Sequence, residues 1–196
     1  MNNAHTFQRL ASYIIDVIII SIICSILTAG IPRSAKYNEA SKNVSSIFGE
    51  YLDNEIGSEE AIDKLYENKY IVDKESIPQD LIFIVVTLGY FVAFAYYNKG
   101  QTVGKKLTRI KVVTIEDKDV SYTQMLVRGL LFSGCIFSIA SVITILFIKS
   151  SQYFSTIGLI GYAHAIFVIC SFIMIAYRKD KRGIHDLICG TKVVEC

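Results

Sequence analysis

Residues 10–31 read LASYIIDVIIISIICSILTAGI, an apolar run interrupted by a single acid, Asp16. A bilayer core about 30 Å thick takes roughly 20 helical residues, so this run is long enough to cross one. Residues 80–97, 129–148 and 154–177 have the same apolar character. The rest of the chain is strongly polar, so the totals average two unlike halves: 196 residues, 52% apolar, 19% charged, mean hydropathy +0.42. The predicted fold class is all-α and transmembrane, a four-helix membrane bundle formed by residues 1–196 as one domain. This argues strongly against a freely soluble enzyme. The first run is longer than the 7–15-residue apolar region of a signal peptide and carries an acid, which favours a retained helix.

Net charge is +2 and becomes informative only when divided by side. Residues 31–80 hold six basic and eleven acidic side chains; residues 98–128 hold seven basic and three acidic, and the segment from Arg178 onward five and three. Lys and Arg in short loops orient a membrane protein. Thirteen of the twenty fall before the first span, between spans two and three, or after span four. Both termini are therefore expected in the cytoplasm, with residues 32–79 forming an external loop insertion. The lipid bilayer is the expected partner; a homo-oligomer and a protein partner at residues 32–79 are open. Nucleic acid and cofactors are not expected. Cys24, Cys135, Cys170, Cys189 and Cys196 form no CxxC, and neither a disulfide nor a metal site is predicted.

Within the external loop, Asn38–Tyr51 and Ser58–Tyr70 space apolar residues as helices do, with Ser58 as a candidate cap of the second. The pair reads as an external cap or as helices lying at the membrane surface. Between spans two and three, Gly100–Lys106 opens a short basic interfacial helix whose lysines are expected to snorkel toward headgroups. Lys111-Val-Val113 and Thr191-Lys-Val-Val194 are β-prone echoes of each other and predict a small cytoplasmic ribbon. Gly89 and Ala93, Gly134 and Ser138, and Gly161 and Ala165 are small pairs that allow close helix approach in lipid. Tyr13, Tyr90, Tyr96, Tyr97, Tyr153, Tyr162 and Tyr177 read mostly as interfacial-belt tyrosines.

Asp16 is the sharpest functional candidate. A carboxylate at that depth costs about 2.5–3.5 kcal/mol unless paired or hydrated. It either binds a proton or cation or locks the bundle through an ion pair, with Arg128 as the candidate partner and Arg9 two turns earlier on the same face. His164, near the middle of span four, is a candidate relay or a neutral hydrogen-bonded core residue. Asp186, in the run around Arg182-Gly-Ile-His185-Asp, is expected to accept from Lys105 or Arg109. Gly100–Lys106 lacks the GxxxxGK[ST] spacing of a phosphate loop, and no nucleophile–base pair or dinucleotide fingerprint occurs. The chain is not expected to be an enzyme.

Three segments resemble the RDD family of bacterial membrane proteins. They are Phe7-Gln-Arg9 through Asp16, then Gly100-Gln101-Thr-Val-Gly104-Lys105-Lys106 on through Arg109 to Arg128, and Arg182-Gly-Ile-His185-Asp186 through Gly190-Thr191. The resemblance implies a helical membrane domain of the bacterial inner membrane, with Arg9, Asp16 and Asp186 as the namesake residues. It also implies suspected transport, some members being similar to cation/proton antiporters. The resulting expectation is transport of a small cation or solute, proton-coupled in one version, with the 101–106 and 182–186 segments as a cytoplasmic gate or brace. The alternative is a non-transporting scaffold or accessory subunit.

Overall fold

The computed structural model of the chain describes residues 2–196. Helix α1 (Thr6–Ala29) carries the first apolar run, and α4 (Ile77–Tyr97) the second, with a π-helical turn at Gly89–Phe94. The wider turn sets three successive residues, Tyr90, Phe91 and Val92, into the interior, which an ordinary α-turn would spread over more than half the helix circumference. The last long helix, α8 (Ser150–Tyr177), begins four residues earlier than the sequence indicated. These three helices are long and apolar enough to cross a membrane. Most of their surface faces outward, as at Ile18, Ile22 and Ile26 of α1 and Leu159, Ile166 and Ile173 of α8, the arrangement expected when lipid rather than water is the solvent.

The predicted third span, residues 129–148, is not one helix. It is divided between α6 (Tyr122–Phe132) and α7 (Cys135–Phe147), which meet at 67°. The cause is local: Gly134 adopts φ +78, a left-handed conformation that L side chains rarely adopt, and Ser133 Oγ turns back to the Gly129 carbonyl at 2.5 Å. Gly134 therefore supplies first a backbone conformation, with a Cβ there 3.8 Å from His164 of α8; no neighbour stands within 4 Å of a Cβ at Gly89, whereas one at Gly161 would lie 3.5 Å from Phe137 of α7. A closer approach between helices occurs at Gly129, where a Cβ would lie 2.6 Å from Val92 Cγ2.

Residues 32–79 form a helical hairpin, α2 (Ala35–Leu52) against α3 (Ser58–Glu75). Ser34 caps α2, whereas α3 is capped at Gly57, so Ser58 is its first residue rather than its cap. The hairpin closes the end of the bundle reached by Ala29. Tyr66 stacks on Phe154 of α8 at 4.5 Å, and the Tyr153 hydroxyl donates to Asp73 Oδ2 at 3.1 Å. Tyr153 and Tyr90 are buried and hydrogen-bonded; they are not belt residues.

At the opposite end the expected ribbon is present. Strand β1 (Ile110–Thr114) runs antiparallel to β2 (Thr191–Glu195), pairing Val112 with Val193. The main-chain groups of that pair point away from each other: Val112 N–H donates to the Gly100 carbonyl, and the Val193 carbonyl accepts from Ala4. The same flanks are held by Gln101 Nε2 on the Ile110 carbonyl, Thr114 N–H on the Lys118 carbonyl and Glu195 N–H on the Asn2 carbonyl. Ile110, Val112 and Val193 join Ala4, Val92, Val120 and Met125 in one apolar cluster, so the ribbon packs onto the ends of the helices. Short helices α5 (Val103–Leu107) and α9 (Ile184–Ile188) precede the two strands.

Val112 and Val193 form a non-hydrogen-bonded antiparallel pair, whose Cα atoms lie about 4.5 Å apart, within disulfide range. With the native cysteines replaced, a V112C/V193C chain should oxidise to an intrachain crosslink, read as a mobility shift on a non-reducing gel. A chain that stays uncrosslinked would contradict the register.

Candidate functional site

Two carboxylates organise the ribbon-side end of the bundle, and both are fully buried. Asp16 faces α5 and α4. Its Oδ1 accepts from the Tyr90 hydroxyl at 2.6 Å and Gly104 N–H at 2.8 Å, its Oδ2 from Thr102 Oγ1 at 2.6 Å, and Lys105 Nζ stands 4.0 Å away. Thr102 is also the cap of α5, accepting from Lys105 N–H. The approach is so close that a Cβ on Gly104 would collide with the Ser12 carbonyl and lie 2.7 Å from Asp16 Oδ1. Against an insertion cost of about 3 kcal/mol stand three hydrogen bonds to a carboxylate, each worth about 1.5–3 kcal/mol. The site therefore compensates the burial of this acid locally.

Asp186 is the second node. Oδ2 accepts from Arg9 Nη2 at 2.5 Å and Gly183 N–H at 3.0 Å, and Oδ1 accepts from Arg128 Nη1. Arg128 also donates to Thr191 Oγ1 at 3.0 Å, and Arg9 to the Lys181 carbonyl. Burial works against the Asp186 charge, but the Arg128 and Arg9 guanidiniums outweigh it and hold its carboxyl far below the usual range. The candidate Asp16–Arg128 pair does not form, because Arg128 is committed to Asp186. Nor does Asp186 use Lys105 or Arg109: Lys105 faces Asp16, and Arg109 is exposed at φ 57, its carbonyl taken by Cys196 N–H.

The remaining candidates sort cleanly. Lys105 is buried rather than snorkelling, its pKa lowered to about 8 chiefly by burial; Lys106 is the exposed lysine, bonded to Asn98. Arg182 donates to the Thr191 carbonyl at 2.9 Å and the Asp186 carbonyl at 3.3 Å. Gly190, at φ +63, makes the turn into β2. His185 Nδ1 lies 2.9 Å from Ser171 Oγ, which also accepts Ile184 N–H at 3.1 Å. Its Nε2 is buried without a hydrogen-bond partner, Asp186 Oδ2 standing 3.6 Å away. Burial above all, then the Arg128 charge, pushes its pKa down to about 3. His164 stacks on Phe137 at 5.9 Å, opposite the Gly134 break.

Tyr90, Thr102, Ser171 and Gly183 were not anticipated as site residues. Thr102 carries a legible signal, an N-cap residue beside the Gly104-Lys105 pair. Ser171 and Tyr90 carry none, since each lies in an apolar run and meets its partner only in the folded chain.

A cavity of about 400 Å³ lies between α1 and α8 beside α6 and the break at Gly134. Arg9, Asp16, Lys105, Arg128 and His185 line its polar part, His164 stands on its wall, and Phe167, Val168 and Phe172 of α8 make its apolar side. The site thus pairs a rigid brace with an amphipathic chamber.

A family model described as the RDD family matches residues 3–190. Two uncharacterized proteins of Bacillus subtilis (strain 168) are similar. YckC is 32% identical over 117 residues, covering 59% of this chain and 62% of YckC. YxaI is 29% identical over 133 residues, covering 65% of this chain and 67% of YxaI. The matched stretch thus spans less than two thirds of YckC's own length. No solved structure matches.

Removing the Asp16 carboxylate strands the buried Tyr90, Thr102 and Gly104 donors, each at about 1–3 kcal/mol. Asp16→Ala should therefore lower the thermal unfolding midpoint in detergent by well over 5 °C, and Gly104→Ala should do the same by forcing α5 off α1. A midpoint unchanged in both would contradict the brace.

His185 gives a pH prediction. Below its ordinary value of 6.5 the unfolded chain binds a proton that the folded chain refuses until about pH 3. Stability is therefore fully present above pH 6.5 and is lost as pH falls from 6.5 toward 3. His185→Gln should flatten that part of the stability profile. A slope unchanged between pH 6.5 and 4 would show that His185 is not its source.

Proposed function

The chain belongs to the RDD family of membrane proteins, and from that premise we propose that it is a solute carrier of the bacterial cell membrane, with the ribbon side in the cytoplasm. The observation that carries this reading is the amphipathic cavity. A brace made only to hold helices together needs no chamber beside it, whereas a carrier needs a polar site at membrane depth with an apolar approach. The charge supports this orientation: thirteen of twenty Lys and Arg lie on the ribbon side, and the hairpin side is acidic.

In this reading Asp16 and Asp186 act as fixed anchors rather than as the moving contact. Both carboxylates are already engaged by three donors each. The solute meets the cationic side of the cavity, and the 101–106 and 182–186 segments brace it from the ribbon end. The chemistry is binding and passage rather than catalysis: Ser171 and His185 are joined, but Ser171 Oγ is spent on Ile184 N–H, and a histidine titrating near 3 is a poor base. A second reading, a scaffold that binds a partner, is favoured by Phe48, Tyr51 and Leu52, which stand exposed together at the end of α2.

The test is flux in proteoliposomes across pH 6–9 with four probes: Na⁺, K⁺, inorganic phosphate and a fluorescent phosphatidylglycerol scored for movement between leaflets. The carrier reading predicts protein-dependent movement of at least one. That movement should fall by tenfold or more in Val168→Trp, which fills the cavity wall from an exposed position, at an unchanged unfolding midpoint. No movement of any probe would leave the scaffold reading in its place.

A further inference from the structure

We propose that the cavity between α1 and α8 is a binding site for an anionic membrane lipid, whose phosphate headgroup sits against Lys105, Arg128 and His185 while its acyl chain leaves along Val168 and Phe172 into the bilayer. This inference rests on the carrier reading for its role in function and supplies the class of ligand.

The first argument is charge. Arg9, Lys105 and Arg128 are mostly buried at this end of the bundle together with two acids, Asp16 and Asp186. Three cations against two carboxylates leave one positive charge uncompensated, and an unpaired buried charge is strongly destabilising. Lys105 is the loosest of the three: its nearest carboxylate oxygen is 4.0 Å away and its one hydrogen bond is to neutral Thr102 Oγ1 at 3.3 Å. An anion in the cavity balances it. A cation finds no equivalent place, because Asp16 and Asp186 already receive three donors each.

The second argument is the unpartnered group. His185 is 3% exposed, lines the cavity, and its Nε2 has no hydrogen-bond partner. Ser171 Oγ already accepts Ile184 N–H, so its own proton is best used on Nδ1, which places the ring proton on Nε2. The nearest carboxylate acceptor, Asp186 Oδ2, stands 3.6 Å away, beyond hydrogen-bond range and on a carboxylate already engaged by three donors, so a headgroup oxygen matches this neutral N–H donor better.

The third argument is the shape of the opening. Thr6 Oγ1 donates to the Ile175 carbonyl at 3.2 Å and ties α1 to α8 at the ribbon end. Beyond this tie, cavity-lining Leu10, Val168 and Phe172 remain 39%, 45% and 47% exposed on the outer faces of the two helices. Leu10 lies about 6 Å along the axis from the start of α1, so the mouth opens sideways into the apolar layer just inside the interface. About 400 Å³ is near the small end of ligand pockets. It holds a headgroup and the first methylenes but not a whole phospholipid, so the ligand must keep its chains in the membrane. A side opening beside a buried cationic floor fits that requirement.

The test is lipid binding by the full chain in mild detergent, counted by native mass spectrometry with phosphatidylglycerol, phosphatidylcholine and inorganic phosphate as probes. The expected result is one phosphatidylglycerol per chain, bound at least tenfold more tightly than phosphatidylcholine and not displaced by 10 mM phosphate. Lys105→Gln should cut that preference at least fivefold. Because this variant also touches the Asp16 brace, Val168→Trp serves as the second: it should weaken phosphatidylglycerol binding from a position outside the brace. Equal binding of the two lipids, or displacement by phosphate alone, overturns the proposal. Preference unchanged in both variants overturns it as well. If phosphatidylglycerol binds selectively while none of the four flux probes moves, the carrier reading falls and this site stands. If Na⁺ moves while the lipids bind equally, the site falls and the carrier reading stands.

Discussion

Asp186 holds together three parts of the chain that are remote in sequence. Arg9 brings the start of α1 and Arg128 brings α6, while Gly183 N–H folds the carboxylate's own segment back onto it. None of these contacts is cheap in isolation, since a buried guanidinium or carboxylate without its partner loses its hydration for nothing. Together they satisfy one another, and the geometry of the ribbon-side end follows. The strand after Asp186 is carried into register with β1, and Ser171 is placed to receive Ile184. Asp16 performs a parallel task one layer away by fixing α5 and the π-turn of α4 against α1.

The apolar runs, the hairpin and the ribbon were legible in the sequence because each depends on local pattern: span length, helical spacing, and two β-prone echoes. The partner of each charge was not. Asp16 and Arg128 stand at compatible depths, which made their pairing reasonable, but depth does not determine azimuth. Arg128 turns toward the tail and Asp16 toward Thr102 and Gly104. The break at Gly134 was hidden for a related reason. A glycine in an apolar run reads equally as a close helix contact or as a left-handed hinge, and the choice belongs to the backbone. Lys105 shows the same limit, since two adjacent lysines look alike in sequence while one is buried and the other exposed.

The two acids differ in what surrounds them. Asp186 is held by full positive charges, so its interactions are strong and directional. Asp16 is held by two hydroxyls and an amide, with a lysine just beyond hydrogen-bond range. That asymmetry leaves positive charge over at the cavity rather than cancelling it within the brace. The membrane-spanning helices supply the other half of the site, an apolar wall that is still partly exposed to lipid.

The ribbon has a consequence for what can add to it. A two-stranded sheet ordinarily offers two free edges, each able to recruit a strand from a neighbour. Here Gly100, Gln101 and Lys118 occupy the outer flank of β1, and Asn2 and Ala4 occupy that of β2. The chain has roofed its own sheet, so sideways growth by strand addition is blocked at both borders.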